Sequence, residues 1–293
     1  MRLQSKSITR YVFKNFLRFL PLVILSAIML CLFMPPFGPV HFFSYLFNLI
    51  SQNPQVEFAD FHSSLYQFFS FISIGNEDVF GINAIWLWIP TIIIALLGTC
   101  TMFSFVERHI KYGDKSYGRL LPAVNETFLS VVPFALVVVA FYEIWMLLLS
   151  VCILLASLIF EGLVLYVVSV IFTVVFYVVF FIIFAMVLLA PPCMFFDGYK
   201  FSSAIAYSFQ LVSAHLKDTI VTVLLNVLVT TLLLSLYNFL IGFITNATIA
   251  TVAYCIGRFL FYLWWMLFLP CFSCCKYADY TETPRADLKI KIF

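Results

Sequence analysis

The sequence predicts an all-α fold: a polytopic membrane helical bundle of about six transmembrane helices with cytoplasmic interfacial helices. Three observations predict it. Of 293 residues, 64% are apolar and only 10% charged, with mean hydropathy +1.08, whereas a soluble domain carries about 25% charged residues. Such a chain cannot cover a water-facing surface, so its surroundings are largely hydrocarbon, where the backbone must satisfy its own hydrogen bonds. The apolar runs are too long, and too free of alternation, for barrel strands of about 9–11 residues. The cations also segregate into alternate connecting segments, as expected if Lys and Arg stay on the cytoplasmic side.

The runs lie near residues 19–34, 82–106, 127–160, 163–190, 219–244 and 248–270, within one membrane domain spanning 1–293. Before the first comes a basic interfacial segment, 1–18, with Arg2, Lys6, Arg10, Lys14 and Arg18. A basic region ahead of a short apolar run has the outline of a secretory signal. The following MPPFGPV offers no small-residue cleavage site, so an uncleaved signal anchor is expected. A cation at every fourth residue drifts about 40° round a helix at each step, which leaves Ile8, Val12, Phe16 and Phe19 on the other side. This pattern fits an amphipathic helix on an anionic inner leaflet, with Lys6, Arg10, Lys14 and Arg18 touching lipid headgroups. It fits a generic topology signal equally well.

Between the first two runs, residues 41–81 form an outer loop with Glu57, Asp60, Glu77 and Asp78, many aromatics and no Lys or Arg. A solvated acidic loop at the outer headgroup level has this composition, and the spacing of Glu57, Asp60 and His62 matches no standard ligand set. After the second run, KYGDKSYGRLLPAVNE forms an interfacial connector with Arg108, Lys111, Lys115 and Arg119 nearby. The third run, 127–160, would be about 51 Å of helix against a hydrocarbon core of about 30 Å, so it tilts steeply or projects beyond the membrane. Glu161-Gly162 separates it from the fourth. Between the fourth and fifth runs, Ile205, Phe209, Val212 and Leu216 recur at helical spacing, marking a second interfacial segment near Lys200 and Lys217. Run, interfacial segment, run thus occurs twice, hinting at a parallel repeat. A cytoplasmic tail, 271–293, carries Lys276, Arg285, Lys289 and Lys291. Fifteen of the sixteen cations therefore fall on one side, which predicts a multi-pass plasma-membrane protein with both termini cytoplasmic. Arg258 is the exception.

The segment LLAPPCMFFDGYKFSSAIAYSFQLV, with ERHIKYGDKS after the second run and PRADLKIKIF near the end, resembles the cytoplasmic connectors of an uncharacterised bacterial six-span family. That family is related to the membrane domain attached to glycerophosphodiester phosphodiesterases. The resemblance covers about the C-terminal two-thirds of the chain and implies a bacterial plasma-membrane protein. It brings no enzymatic role, since the phosphodiesterase domain is absent from these residues.

Polar residues inside the runs are the internal site candidates. Arg258 lies near the bilayer middle, about 15 Å from the outer end of its run, where charge costs at least about 2.5 kcal/mol and should face the bundle or a wet cavity. Tyr254 and Tyr262, four residues to either side, share its face. Glu143 in FYEIWMLLLS is the only acidic residue deep within a run. It stands about 9 Å outward of Arg258, a gap that tilt and snorkelling can close, so an interhelical pair is expected. The fifth run aligns Thr219, Thr222, Asn226, Thr230 and Tyr237; the fourth Tyr166, Ser169, Thr173 and Tyr177; the third Glu143, Ser150 and Ser157. Such stripes serve as interhelical glue or line a polar pathway around Arg258.

Catalytic signatures are missing: there is no HExxH, GxSxG, P-loop or GxGxxG. His41, His62, His109 and His215 make no metal spacing, and Cys271, Cys274 and Cys275 supply three thiolates where a closed zinc site takes four ligands. No metal, cofactor or disulfide framework is expected, and nucleic-acid binding finds no basic domain. The expected partners are the bilayer with its anionic inner-leaflet lipids and a membrane-protein partner or second copy. Two function classes follow. One is a non-enzymatic accessory or scaffold component of the plasma membrane; the other is a carrier or channel for a small solute, anionic if Arg258 meets it.

Overall fold

The computed structural model describes residues 5–33, 85–114, 116–117, 120–160 and 162–286. The expected outer loop at 41–81 and the end of the tail lie outside the described residues, as does the side chain of Lys6. Described residues form eight helices and no strand: α1 Ser5–Phe33, α2 Ile85–Tyr112, α3 Leu120–Ser157, α4 Gly162–Val187, α5 Ala190–Asp197, α6 Phe201–Ala214, α7 Leu216–Ile241 and α8 Ala247–Tyr280. Six stretches are long and apolar enough to cross a membrane: Ile8–Leu32, Pro90–Tyr112, Val131–Ser157, Val167–Asp197, Leu216–Ile241 and Ala247–Tyr280. The chain is an all-α, multi-pass membrane bundle.

Side-chain contacts fix the directions. α1 and α2 run antiparallel, because Ser26 donates to the Ile94 carbonyl (2.8 Å) while Tyr11 meets His109 (2.7 Å). α7 and α8 do the same, with Tyr237 on Ala253 at one end and Asp218 on Lys276 at the other. Arg10, Lys14, Arg108, Lys111, Lys200, Lys217, Lys276 and Arg285 thereby gather at one end of the bundle, termed the basic end.

The main core is a three-helix contact among α1, α2 and α8, where Phe19, Val23, Met102, Phe105, Phe268 and Phe272 are buried. Gly98 on α2 lets α1 approach, since a Cβ there would collide with the Ser26 side chain. A second, aromatic cluster joins α3 and α4 through Tyr142, Tyr177, Phe180 and Phe181. A third packs α5, α6 and the end of α8 around Leu189, Cys193, Ala204 and Tyr277. Exposed aliphatics such as Leu25, Leu136, Ile144 and Leu225 form the outer belt, which is the surface hydrocarbon requires.

Several expectations change. From Ser5 onward the basic segment is the first turns of α1 rather than a separate helix. Ile8, Val12 and Phe19 are buried in the main core, because α2 and α8 supply an apolar surface that removes them from lipid and water alike. The second half of the first connector is already α3, so α3 projects past the apolar stretch that begins at Val131. Among the described residues only the second connector forms helices of its own, α5 and α6, so the two connectors differ. On α6 the buried face is Ala204, Ser208 and Val212, while Phe209 is 37% exposed. Small residues win that face because they admit α4, and the Ser208 hydroxyl donates to the Met186 carbonyl at 2.7 Å. Finally, α8 runs ten residues past the expected end of the sixth run, and 271–278, read from the sequence as tail, is buried throughout.

The break between α4 and α5 has a chemical cause. Pro191 and Pro192 open α5 at its first positions, where a missing N–H is tolerated, but the same absence leaves the Val187 and Leu188 carbonyls without helical donors. Ser273 of α8 donates to the Leu188 carbonyl at 2.8 Å. Ser273→Ala is expected to leave that buried carbonyl unpaired and lower stability by about 1–2 kcal/mol, read as a drop in the thermal unfolding midpoint of the detergent-purified protein.

Candidate functional site

Two polar regions emerge, one in the middle of the bundle and one at the basic end. In the middle, Arg258 is 4% exposed. Its guanidinium carbon lies 5.4 Å from the centroid of the Tyr254 ring, within range of a cation–π contact. The preceding residue matters for its placement. Gly257 packs against the Tyr237 ring, leaving no room for a Cβ, and so brings α7 onto α8 while Tyr237 donates to the Ala253 carbonyl at 2.8 Å. From α1, the Cys31 thiol donates to the Cys255 carbonyl at 3.1 Å, and Cys31 is within electrostatic range of Arg258.

The other predicted residues fall around this point without forming one wet chamber. Tyr142 is buried and within electrostatic range of Glu143, Tyr177 and Tyr262, so α3, α4 and α8 meet there. Tyr262 and Phe181 line a cavity of about 190 Å³ with Thr231 and Trp265. Asn226 and Thr230 line a different cleft, about 570 Å³, between α7 and α8. Arg258 lines neither of these two cavities.

The hydroxyls of the predicted stripes are largely turned onto their own helices. Thr230 donates to the Asn226 carbonyl (2.8 Å), Thr173 to Ser169 (2.7 Å), Ser150 to Met146 (3.0 Å) and Thr222 to Asp218 (2.7 Å). This return to the preceding turn satisfies a hydroxyl in a medium without water. Asn226 instead works between helices, its Oδ1 accepting from the Trp264 indole at 2.9 Å.

The basic end holds the contacts that sequence reasoning missed. Lys276 of α8, only 1% exposed, pairs with Asp218 at the start of α7. Tyr280, one turn on, meets Thr219 at 2.7 Å, stacks on His215 with centroids 4.1 Å apart, and faces the Lys276 ammonium at 5.5 Å. Tyr277, fully buried, donates to Asp197 at the end of α5. Lys111 bonds Glu107 at 2.8 Å and reaches the Phe195 and Phe196 carbonyls at 3.5 and 3.3 Å, the natural place for a cation beside a helix C-terminus. In the turn after α2, Asp114 accepts from the Ser116 backbone and pairs with Arg108. The backbone donation, reinforced by the guanidinium, holds its carboxyl below the usual range. The weak signal for this region was KYADY itself: two tyrosines and an aspartate round a lysine, more structured than a solvated tail needs.

Among the described residues no group of His, Cys, Asp and Glu could hold a metal ion. Compared with protein-family models, curated proteins and solved structures, the chain matches none.

The Lys276–Asp218 pair is lopsided, 1% exposed on the lysine side and 52% on the aspartate side. Removing the acid strands a buried charge, whereas removing the lysine leaves a carboxylate already in contact with solvent. Asp218→Asn is therefore expected to cost up to about 3 kcal/mol and Lys276→Met distinctly less, compared by thermal unfolding of the two variants; equal losses would contradict this account.

Proposed function

We propose that the chain is a non-enzymatic accessory or scaffold component of the plasma membrane, with its basic end in the cytoplasm, as the segregated cations favour. The observation that carries this reading is the fate of the intramembrane hydroxyls. Thr173, Ser150 and Thr230 close on their own helices, and the two cavities have mainly aliphatic and aromatic walls. A route for a hydrated solute needs polar groups held open along a continuous wall. Here those groups are spent on the fold. The resemblance to a bacterial six-span family without an attached phosphodiesterase agrees with this role.

The second reading, a carrier for a small anion, draws on one observation: a cation 4% exposed in the middle of a span. In the accessory reading Arg258 is structural, clothed by Tyr254 and paired with Glu143 across the α3–α8 side of the bundle. That pairing compensates the cost of a buried charge.

Two measurements separate the readings. Cysteines placed at Asn226, Thr230 and Tyr254 are expected to react with a membrane-impermeant thiol reagent no faster than buried native Cys100 and Cys271; fast labelling along the set would favour the carrier. In a charge-swap series, Arg258→Glu with Glu143→Arg is expected to accumulate and unfold closer to wild type than either single change. Wild-type behaviour of both single variants would remove the pair and, with it, the structural role of Arg258.

A further inference from the structure

Two groups of cations at the basic end contrast, with exposed Lys200 and Lys217 standing apart from both. Arg108, Lys111, Lys276 and Arg285 are each engaged by a carboxylate of the fold. Arg10, Lys14 and Arg18 on α1 are exposed, and among the described residues no carboxylate pairs with them. Between them on the helix stand Phe13, 65% exposed, and Leu17, 81% exposed. Charged and large apolar side chains presented together suit the boundary between headgroups and acyl chains. The depth agrees: counting twenty residues, about 30 Å of helix, back from Phe33 arrives at Lys14 and Phe13.

This cationic face adjoins a cavity. The Phe13 ring packs on Trp264, with centroids 6.0 Å apart, and Trp264 is the basic-end wall of the cleft of about 570 Å³ between α7 and α8. From Asn226 to Tyr237 the cleft extends about 16 Å along α7, with Val229 and Leu233 on one side and Leu260 on the other. Its volume is that of a pocket for a single ligand. With Thr230 turned to its own helix and the Asn226 oxygen held by Trp264, the side-chain N–H group of Asn226 is the polar donor left at the basic end of an otherwise apolar slot. An apolar slot, one hydrogen-bond donor and an exposed cationic rim, in that order toward the membrane surface, match a phospholipid read from chain to ester to phosphate.

We propose that the α7–α8 cleft and the cationic face of α1 together bind one anionic phospholipid, with an acyl chain lying along the cleft and the headgroup phosphate meeting Arg10 and Lys14. The site goes beyond the accessory reading and is independent of it, since lipid retention is measured without reference to solute movement.

The test is native mass spectrometry of the full chain released from mixed vesicles of phosphatidylcholine and phosphatidylglycerol. Wild type is expected to retain one phosphatidylglycerol over phosphatidylcholine by at least about fivefold, the scale of one interfacial cation. Arg10→Gln with Lys14→Gln should abolish the preference, and Lys200→Gln with Lys217→Gln, the same loss of charge at exposed positions, should keep it. Val229→Trp, which fills the cleft from an exposed position, should reduce retention of both lipids. Equal retention of the two lipids by wild type, equal loss in both charge variants, or full retention by Val229→Trp would each overturn the proposal.

Discussion

In hydrocarbon a side-chain donor finds no water, and this bundle meets that constraint with one recurrent interaction: the donor placed on a neighbouring element's backbone carbonyl, which has a lone pair to spare even when its own helix already uses it. Ser26 reaches α2, Cys31 reaches α8, Trp145 reaches α4, Tyr237 reaches α8 and Ser208 reaches α4. Ser273 reaches the turn after α4, and Tyr117 donates to the Arg18 carbonyl at 2.8 Å, next to the one that Pro21 leaves without a donor. Each such bond fixes rotation and height of a helix at once. Apolar packing alone distinguishes these poorly, because lipid tails are as apolar as the side chains they would displace.

The same constraint explains what was legible in the sequence. Spans show as composition, because every residue facing lipid must be apolar whatever its partners are, and four of the six runs lie within seven residues of their helices at both ends. Residues 271–278 were misread because Ser273, Cys274, Cys275 and Lys276 end the apolar run, although the fold buries all four. What makes that burial possible, Asp218 and the Leu188 carbonyl, lies 58 and 85 positions away. Local patterning contains no trace of such partners. On α6, Phe209 and Ile205 outweigh Ala204 and Ser208 in any apolar count, yet close helix approach favours the small pair.

The structure separates candidate residues that the sequence reads as one group. Arg258 is deep and buried, with Tyr254 on it, as one helix face requires. Asn226 and Thr230, which share a stripe in the sequence, belong to a separate cleft, because Gly257 and Tyr237 bring α7 against α8 on a side that Arg258 does not line. The rotational phase between neighbouring helices decides this, and a single helix's periodicity cannot contain it.

The main core has a consequence for biosynthesis. Its walls come mainly from α1, α2 and α8, the first two and the last of the described helices in chain order. During synthesis α1 and α2 must reside in the membrane with their third wall still unmade, while α3 to α7 are threaded past them. Helices in a bilayer are individually stable and associate afterwards, so such a wait is possible. Consolidation then waits for α8: a chain stalled before it holds the other five described spans and an open core, the kind of unfinished surface that membrane quality control can recognise.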